Sequence, residues 1–303
     1  MTVRFAVRHR TTYRYSRPMA DGYTVAHLLP RNTPTQAVES AAVQVSPQPD
    51  EVEELIDAFG NRLLRIGIHS PHDHLELIST CTVDVSSPAA IPAASQPWEQ
   101  VARSGQAMVG ALVDDVGPFL AHTSSTPPLA VLCDVTADVF QPDRPMVEVV
   151  LALSSLIFRE FRFDSAFSDV STPIDDVVRE RRGVCQDFAH LAIACLRSRG
   201  LAARYVSGYI ETTPPAGEPK LTGSDASHAW CSVWVPDHGW LDMDPTNDQV
   251  PPQRHVTVAW GRDYFDVTPV RGVVVGPSAT QSLEVGVDVT VLDRPFTGVS
   301  ENR

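Results

Sequence analysis

The chain has 303 residues, 43% of them hydrophobic, with 24 Lys and Arg against 37 Asp and Glu and a formal charge of −13. That length allows one large or two ordinary cores, and an acidic balance without a Lys/Arg cluster excludes a phosphate-backbone partner, so no nucleic acid is expected. No window approaches the roughly 18 apolar residues that a membrane helix needs, and the first ten residues carry no apolar signal segment, so the expectation is a cytoplasmic protein with no membrane partner.

The first ninety residues read as β. Residues 4–15 alternate polar with apolar or aromatic side chains, 41–45 and 63–68 are short strand candidates, and 75–85 is the longest. Asn32 to Pro34, Pro47 to Pro49 and Phe59-Gly60-Asn61 punctuate them, a spacing that suggests an antiparallel sandwich or half-barrel. The small, Pro-rich stretch 86–95 marks a boundary. Beyond it the period becomes helical over 98–113, 129–140 and 146–161, the last with Asp143 as cap and Pro145 as first-turn proline. Residues 188–199 are apolar almost all round and closed by Gly200, as a buried helix would be. Strands follow at 203–210, 226–235 and 240–243, then at 273–275 and 283–292. The expected organisation is an α+β fold: an all-β N-terminal domain over 1–92, then a core over 93–303. Within that core, 93–180 is helical, 181–250 carries the motifs, and 251–303 holds C-terminal strands and a tail.

The five cysteines, Cys81, Cys133, Cys185, Cys195 and Cys231, are odd in number and contain no CxxC pair, which fits neither a disulfide framework nor a zinc ribbon. Cys185 follows Gly183-Val184 and opens a helix, where unsatisfied backbone N–H groups and the dipole favour a thiolate. A buried small hydrophobe at a helix start is the alternative. Downstream, His228 begins a strand candidate and Asp242 and Asp244 lie on the next: nucleophile, base and orienter in order. If 235–239 close an odd-length hairpin, Trp234 pairs with Trp240, Ser232 with Asp242 and Trp230 with Asp244. His228 then shares a face with both acids and sits diagonal to Asp244, which is favoured over Asp242 as its partner.

These motifs together, Gly183-Val184-Cys185 with Asp187-Phe188-Ala189-His190-Leu191, then His228-Ala229-Trp230, then Gly239-Trp240 with Asp244-Pro245-Thr246-Asn247, resemble the bacterial transglutaminase-like superfamily, whose members are often described as cysteine proteases. His9, Thr11, Tyr13 and Tyr15, with Asp57, Phe59, Gly60 and Asn61, resemble the all-β N-terminal domain that accompanies such proteins, and Gly261-Arg262-Asp263-Tyr264 with Asp266-Val267 and Pro269 their C-terminal segment. The resemblance implies a papain-like core in which a Cys-bearing helix packs on an antiparallel sheet, and a catalytic triad carried onto Cys185, His228 and Asp244. It implies acyl transfer through a thioester, with hydrolysis of peptide or glutamine-type amide bonds preferred to amine transfer and cross-linking, and a peptide or protein as substrate. A non-catalytic binding or assembly module with the same fold is the competing expectation.

The remaining polar residues read as structural. His190 should make a polar contact under its helix, Asp187 should point outward or meet Arg181 or Arg182, and Cys231 should be core. His72 and His74 lack a third and fourth ligand, so no metal is expected. No P-loop, dinucleotide turn or calcium loop occurs, so no cofactor is expected. Trp230, Trp234 and Trp240 should be core, with Trp230 able to wall the cleft, and the Pro/Gly-rich segment 212–223 is placed to be a lid.

Overall fold

The computed structural model describes residues 2–87, 91, 95–107, 110–212, 226–236, 238–250 and 254–292. Six strands come first: β1 (Thr2–Met19), β2 (Asp21–Ala26), β3 (Gln36–Ser46), β4 (Glu51–Ile56), β5 (Arg62–Ile68) and β6 (His72–Ser86). The alternation read in 4–15 is the burial pattern of β1, with Phe5, Val7, His9 and Thr11 inside and Arg8, Arg10 and Arg14 outside. The sequence reading lacks β2 and β4. Three of the six residues of β4 are glutamates, poor strand formers, and the strand forms because Glu53 and Glu54 meet Arg65 and Arg62 across its pair with β5.

The helical region comprises α1 (Trp98–Gln106), α2 (Ala111–Val116), a 3-10 turn at Gly117–Leu120, α3 (Ala130–Val135) and α4 (Met146–Glu160). It continues through the short strand β7 (Arg162–Phe163), α5 (Ile174–Glu180), the short strand β8 (Arg182–Gly183) and α6 (Cys185–Arg197). The helix expected over 98–113 is interrupted, because Gly110 adopts φ 65, outside the helical region. Asp143 does not cap α4. It sits at φ 60 and the N-cap position is Pro145, so the helix starts without a side-chain cap. Among the sequence-based elements α6 is the most faithful: ten of its residues after Gln186 and Asp187 are buried, and Gly200 beyond it has φ 75.

The chain then forms β9 (Ala203–Ile210), β10 (Ala226–Val235), β11 (Gly239–Met243), β12 (His255–Gly261), β13 (Val270–Val275) and β14 (Gln281–Leu292). Strands β9 to β12 make an antiparallel sheet in the order β11-β10-β9-β12 against α6. Two further sheets, β14-β1-β6-β3 and β13-β2-β5-β4, form a sandwich. The last two strands therefore belong to the N-terminal β region and not to the 251–303 part of the core expected from sequence: β14 pairs along β1 from Arg4 to Tyr15, and β13 along β2.

One face of β1 and β6 serves two cores. Toward one end, Leu75 and Leu77 join Leu64, Ile66 and Ile68 inside the sandwich. Toward the other, Phe5, Val7, Cys81 and Val83 enter the same cluster as Leu191, Ala192 and Cys195 of α6 and Ala229, Cys231 and Val233 of β10. Each buried side chain of this size contributes roughly 1.5–3 kcal/mol, so the β region and the α6 sheet are held by continuous apolar packing. Between the two cores the polar side chains are paired, His9 with the Tyr209 hydroxyl and Thr11 Oγ1, both at 2.9 Å.

Candidate active site

The site starts at the N-terminus of α6. Val184 precedes the helix in extended conformation, and its backbone N–H donates to Asp187 Oδ2 at 2.8 Å, closing the first turn. The same carboxylate accepts from the Ser168 hydroxyl and is 4% exposed. Asp187 therefore points inward, contrary to the expectation that it meets solvent, Arg181 or Arg182. Those arginines pair with Glu160, Asp164 and Glu180 instead. Burial raises the Asp187 carboxyl above the ordinary range despite its two donors. Gly183 is required by this turn: a Cβ there would lie 2.8 Å from Asp187 Oδ2 and 2.9 Å from its Cβ. The turn leaves Cys185 half-buried at the helix end, the position sequence reasoning gave it.

His228 lies on β10, with its side chain close enough to Cys185 for the two to interact. Its Nε2 is 2.8 Å from Asp244 Oδ2, which leaves Nδ1 as the nitrogen for the thiol. The hairpin closes with Val235 opposite Gly239, Trp234 opposite Trp240 and Ser232 opposite Asp242, the register expected from sequence. The ladder stops at Cys231 and Met243, one step before Trp230 and Asp244, because the chain turns: Asp244 bridges to Gln249, and its Oδ1 accepts from Thr246 N at 3.0 Å and Asn247 N at 3.3 Å. Asp242 serves elsewhere, accepting from Ser232 Oγ and from the Trp230 indole at 3.3 Å. Of the two acids, Asp244 is the one that touches His228.

Asp244 is fully buried, which alone would favour its neutral form. Its oxygens nonetheless accept from His228 Nε2, His255 Nε2 at 2.9 Å and Asn247 Nδ2 at 2.7 Å, and these hold the carboxyl well below its usual range. Burial likewise disfavours a charged His228. The Asp244 hydrogen bond and the contact with Cys185 overcome it and push the imidazole up to about 10. Trp230 packs in the same cluster, its ring stacked 6.1 Å from that of His228 and edge-on to His255 at 5.0 Å. It is 1% exposed, so it supports the imidazoles from beneath and does not wall a cleft. Gly208 leaves it room: a Cβ there would lie 2.7 Å from Trp230 Cη2 and 2.1 Å from the Val256 carbonyl oxygen.

Other expected residues are placed as follows. His190 is buried, its Nε2 accepts from Tyr264 N at 3.1 Å, and burial lowers it to about 4. Cys231 is core. His72 turns to the Ser70 carbonyl and His74 to Asp73. Most of the lid segment 212–223 lies outside the described residues. Sequence reasoning missed His255 because it missed β12, although Val256, Val258 and Trp260 alternate as strand residues do. Among the described residues, His228, Asp244 and His255 are the set whose ligand atoms converge closely enough for a metal ion. Their N···O separations of 2.8 and 2.9 Å are those of N–H···O bonds, whereas two ligands in a tetrahedral zinc shell stand about 3.3 Å apart.

Residues 5–84 match the family model described as bacterial transglutaminase-like N-terminal region, and residues 134–245 that of the transglutaminase-like superfamily. An uncharacterized protein of Mycobacterium tuberculosis is 40% identical over 305 aligned residues, covering 98% of this chain and 94% of its own. The chain belongs to the transglutaminase-like superfamily. Over 27% of its length, this transglutaminase-like chain is also 40% identical to a Pseudomonas aeruginosa protein named protein-glutamine gamma-glutamyltransferase, of which the match covers 12%. Its fold is shared with the crystal structure of a "Putative Cysteine Protease" from Cytophaga hutchinsonii, with TM-score 0.73, 22% identity, and coverage of 98% of this chain and 93% of that one. No helix among the described residues is long and apolar enough to cross a membrane.

Proposed function

We propose that the protein is a cysteine-dependent acyl-transfer enzyme that hydrolyses peptide or glutamine-type amide bonds of a peptide or protein substrate, with Cys185 as nucleophile, His228 as acid–base and Asp244 as its orienting carboxylate. The observation that carries this reading is the chain of contacts from the half-buried Cys185 through His228 to the buried Asp244. The thiol of Cys185 stands at the positive end of α6 beside the His228 imidazole, so a proton passed to His228 would leave a thiolate where the helix dipole favours it.

The thiolate attacks the amide carbon, and the oxygen that gains charge is met by the backbone N–H of Cys185. Collapse of the tetrahedral intermediate breaks the C–N bond, and the departing amine or ammonia takes the proton from His228. A thioester on Cys185 remains. Water, deprotonated by His228, attacks it and releases a carboxylic acid and the thiolate, restoring the starting state. Asp244 keeps its charge throughout and holds His228 in the tautomer that faces the thiol. Amine attack on the same thioester would give transamidation, a second reading favoured by the name of the Pseudomonas relative.

The test is incubation with a blocked glutaminyl-glycine and with a peptide library, with and without a primary amine, followed by mass spectrometry of protein and products. The expected results are an acyl adduct on Cys185, products bearing new carboxyl groups, and a loss of about 10³-fold or more in Cys185→Ala and His228→Ala. Undiminished turnover in Cys185→Ala contradicts the proposal. An amine adduct dominating over acid selects the second reading.

A further inference from the structure

His255 stands outside the three residues assigned above, yet its Nε2 is 2.9 Å from the same oxygen, Asp244 Oδ2, that accepts from His228. It is buried on β12, the edge strand of the four-stranded sheet. An edge strand presents backbone N–H and C=O groups that need partners when buried, and here two side-chain amides of the β region supply them. Gln36, at the start of β3, donates through Nε2 to the Thr257 carbonyl at 2.7 Å and accepts the Thr257 N–H on Oε1 at 2.9 Å. Asn61, in the turn before β5, donates through Nδ2 to the Trp260 carbonyl at 2.8 Å and accepts the Trp260 N–H on Oδ1 at 3.0 Å. Each amide imitates one rung of a neighbouring strand. Both are themselves fixed, Gln36 by the Arg31 carbonyl at 2.8 Å and Asn61 by Asp57 Oδ2 at 2.8 Å.

We propose that His255 is a positioning residue for the Cys185–His228 pair, and that the N-terminal β region sets it in place through the Gln36 and Asn61 rungs on β12. The inference rests on the acyl-transfer reading and assigns the β region a part in it. A carboxylate removed from water is kept ionised and oriented by the donors around it. His255 supplies one of the three donors on Oδ2, so its loss leaves the Asp244 carboxylate less firmly fixed and the His228 ring less firmly held toward the thiol. The titratable groups facing this unit are Cys185 from α6, His228 and Cys231 from β10, Asp242 from β11, Tyr205 from β9 and His255 from β12. Burial holds the Cys231 thiol and the Tyr205 hydroxyl protonated.

The test is the rate of Cys185 alkylation by iodoacetamide between pH 5 and 9 in the full chain, for wild type, His255→Leu, His255→Gln and Asn61→Ala. The proposal expects His255→Leu to label Cys185 about 10-fold more slowly than wild type at pH 6, the worth of one charge-assisted hydrogen bond, with the difference closing toward pH 9. His255→Gln, whose amide keeps an N–H donor, recovers most of the rate, and Asn61→Ala shifts the profile in the direction of His255→Leu by a smaller factor. A His255→Leu profile that superposes on wild type, or a loss equal at every pH and unrelieved by glutamine, overturns it. If wild-type Cys185 itself labels like an ordinary thiol, the acyl-transfer reading is what fails. Should His255→Leu not fold, the imidazole N–H region of the wild-type proton spectrum decides: two slowly exchanging downfield signals, from His228 and His255, are expected, and a single one overturns the proposal.

Discussion

At the scale of single residues, the five thiols differ by environment more than by chemistry. Cys81 and Cys195 are pushed up to about 12 by burial, and Cys231 is raised well above its ordinary value for the same reason, while Cys133 is exposed and Cys185 half-buried beside His228. Brief alkylation at pH 6, read by peptide mapping, is expected to modify Cys185 first, Cys133 slowly and the other three not at all. Gly183→Ala places a methyl carbon against Asp187 and should cost about 1–3 kcal/mol of stability, measured as a lower denaturation midpoint, together with slower labelling of Cys185 as the turn shifts. Residue type, helix start and strand parity in the sequence point to Cys185, His228 and Asp244, which the fold brings side by side. Asp187 could not. A first-turn carboxylate is favoured whichever way it points, and its inward direction is decided by Ser168, nineteen residues away in sequence.

At the scale of elements, α6, β9, β10 and β11 were legible because their apolar periods are long or strictly alternating and their ends carry turn residues. Besides the two-residue strands β7 and β8, four elements escaped the reading. The strands β2 and β12 are short segments completed by partners distant in sequence, β4 is a glutamate-rich edge strand paired only with β5, and α5 is a seven-residue helix that starts after Pro173 without a side-chain cap. Element pairing also explains Gly208, which pairs with His228 on one side and Thr257 on the other. A methyl group there would strike the Val256 carbonyl of β12 and the ring of Trp230 together. Gly208→Ala is therefore expected to break the β9–β12 pairing and give protein that melts without cooperativity, whereas Gly239→Ala, where a Cβ meets nothing and only the positive φ of 85 is strained, should melt within a few degrees of wild type.

At the scale of the whole molecule, the division expected at residue 92 does not describe how the chain holds together. Strands from both ends build the sandwich, and the face of β1 and β6 that carries Leu75 and Leu77 continues over α6. Sequence periodicity located β13 and β14 but carries no information about which sheet a strand joins. A chain ending at residue 269 removes β14 and β13, one of the two partners of β1 and of β2, and is expected to lose cooperative melting, read by circular dichroism. Three histidines contribute to the pH response of the fold between pH 4 and 10. His9 and His190 are lowered from 6.5 to about 4 by burial, so their contribution to stability is complete above 6.5 and lost as pH falls toward 4. His228 is raised to about 10, so its contribution is complete below 6.5 and lost as pH rises toward 10. The melting temperature should peak near pH 6.5. His228→Ala should flatten the alkaline limb, and His9→Gln with His190→Gln the acid limb.

The most direct test of the acyl-transfer account is selective alkylation of wild type and His228→Ala with limiting iodoacetamide at pH 6, followed by intact-mass measurement and peptide mapping. The account predicts a single adduct on Cys185 in wild type and its loss, or a rate no faster than that of Cys133, in His228→Ala. Equal labelling of Cys185 in the two proteins would contradict it.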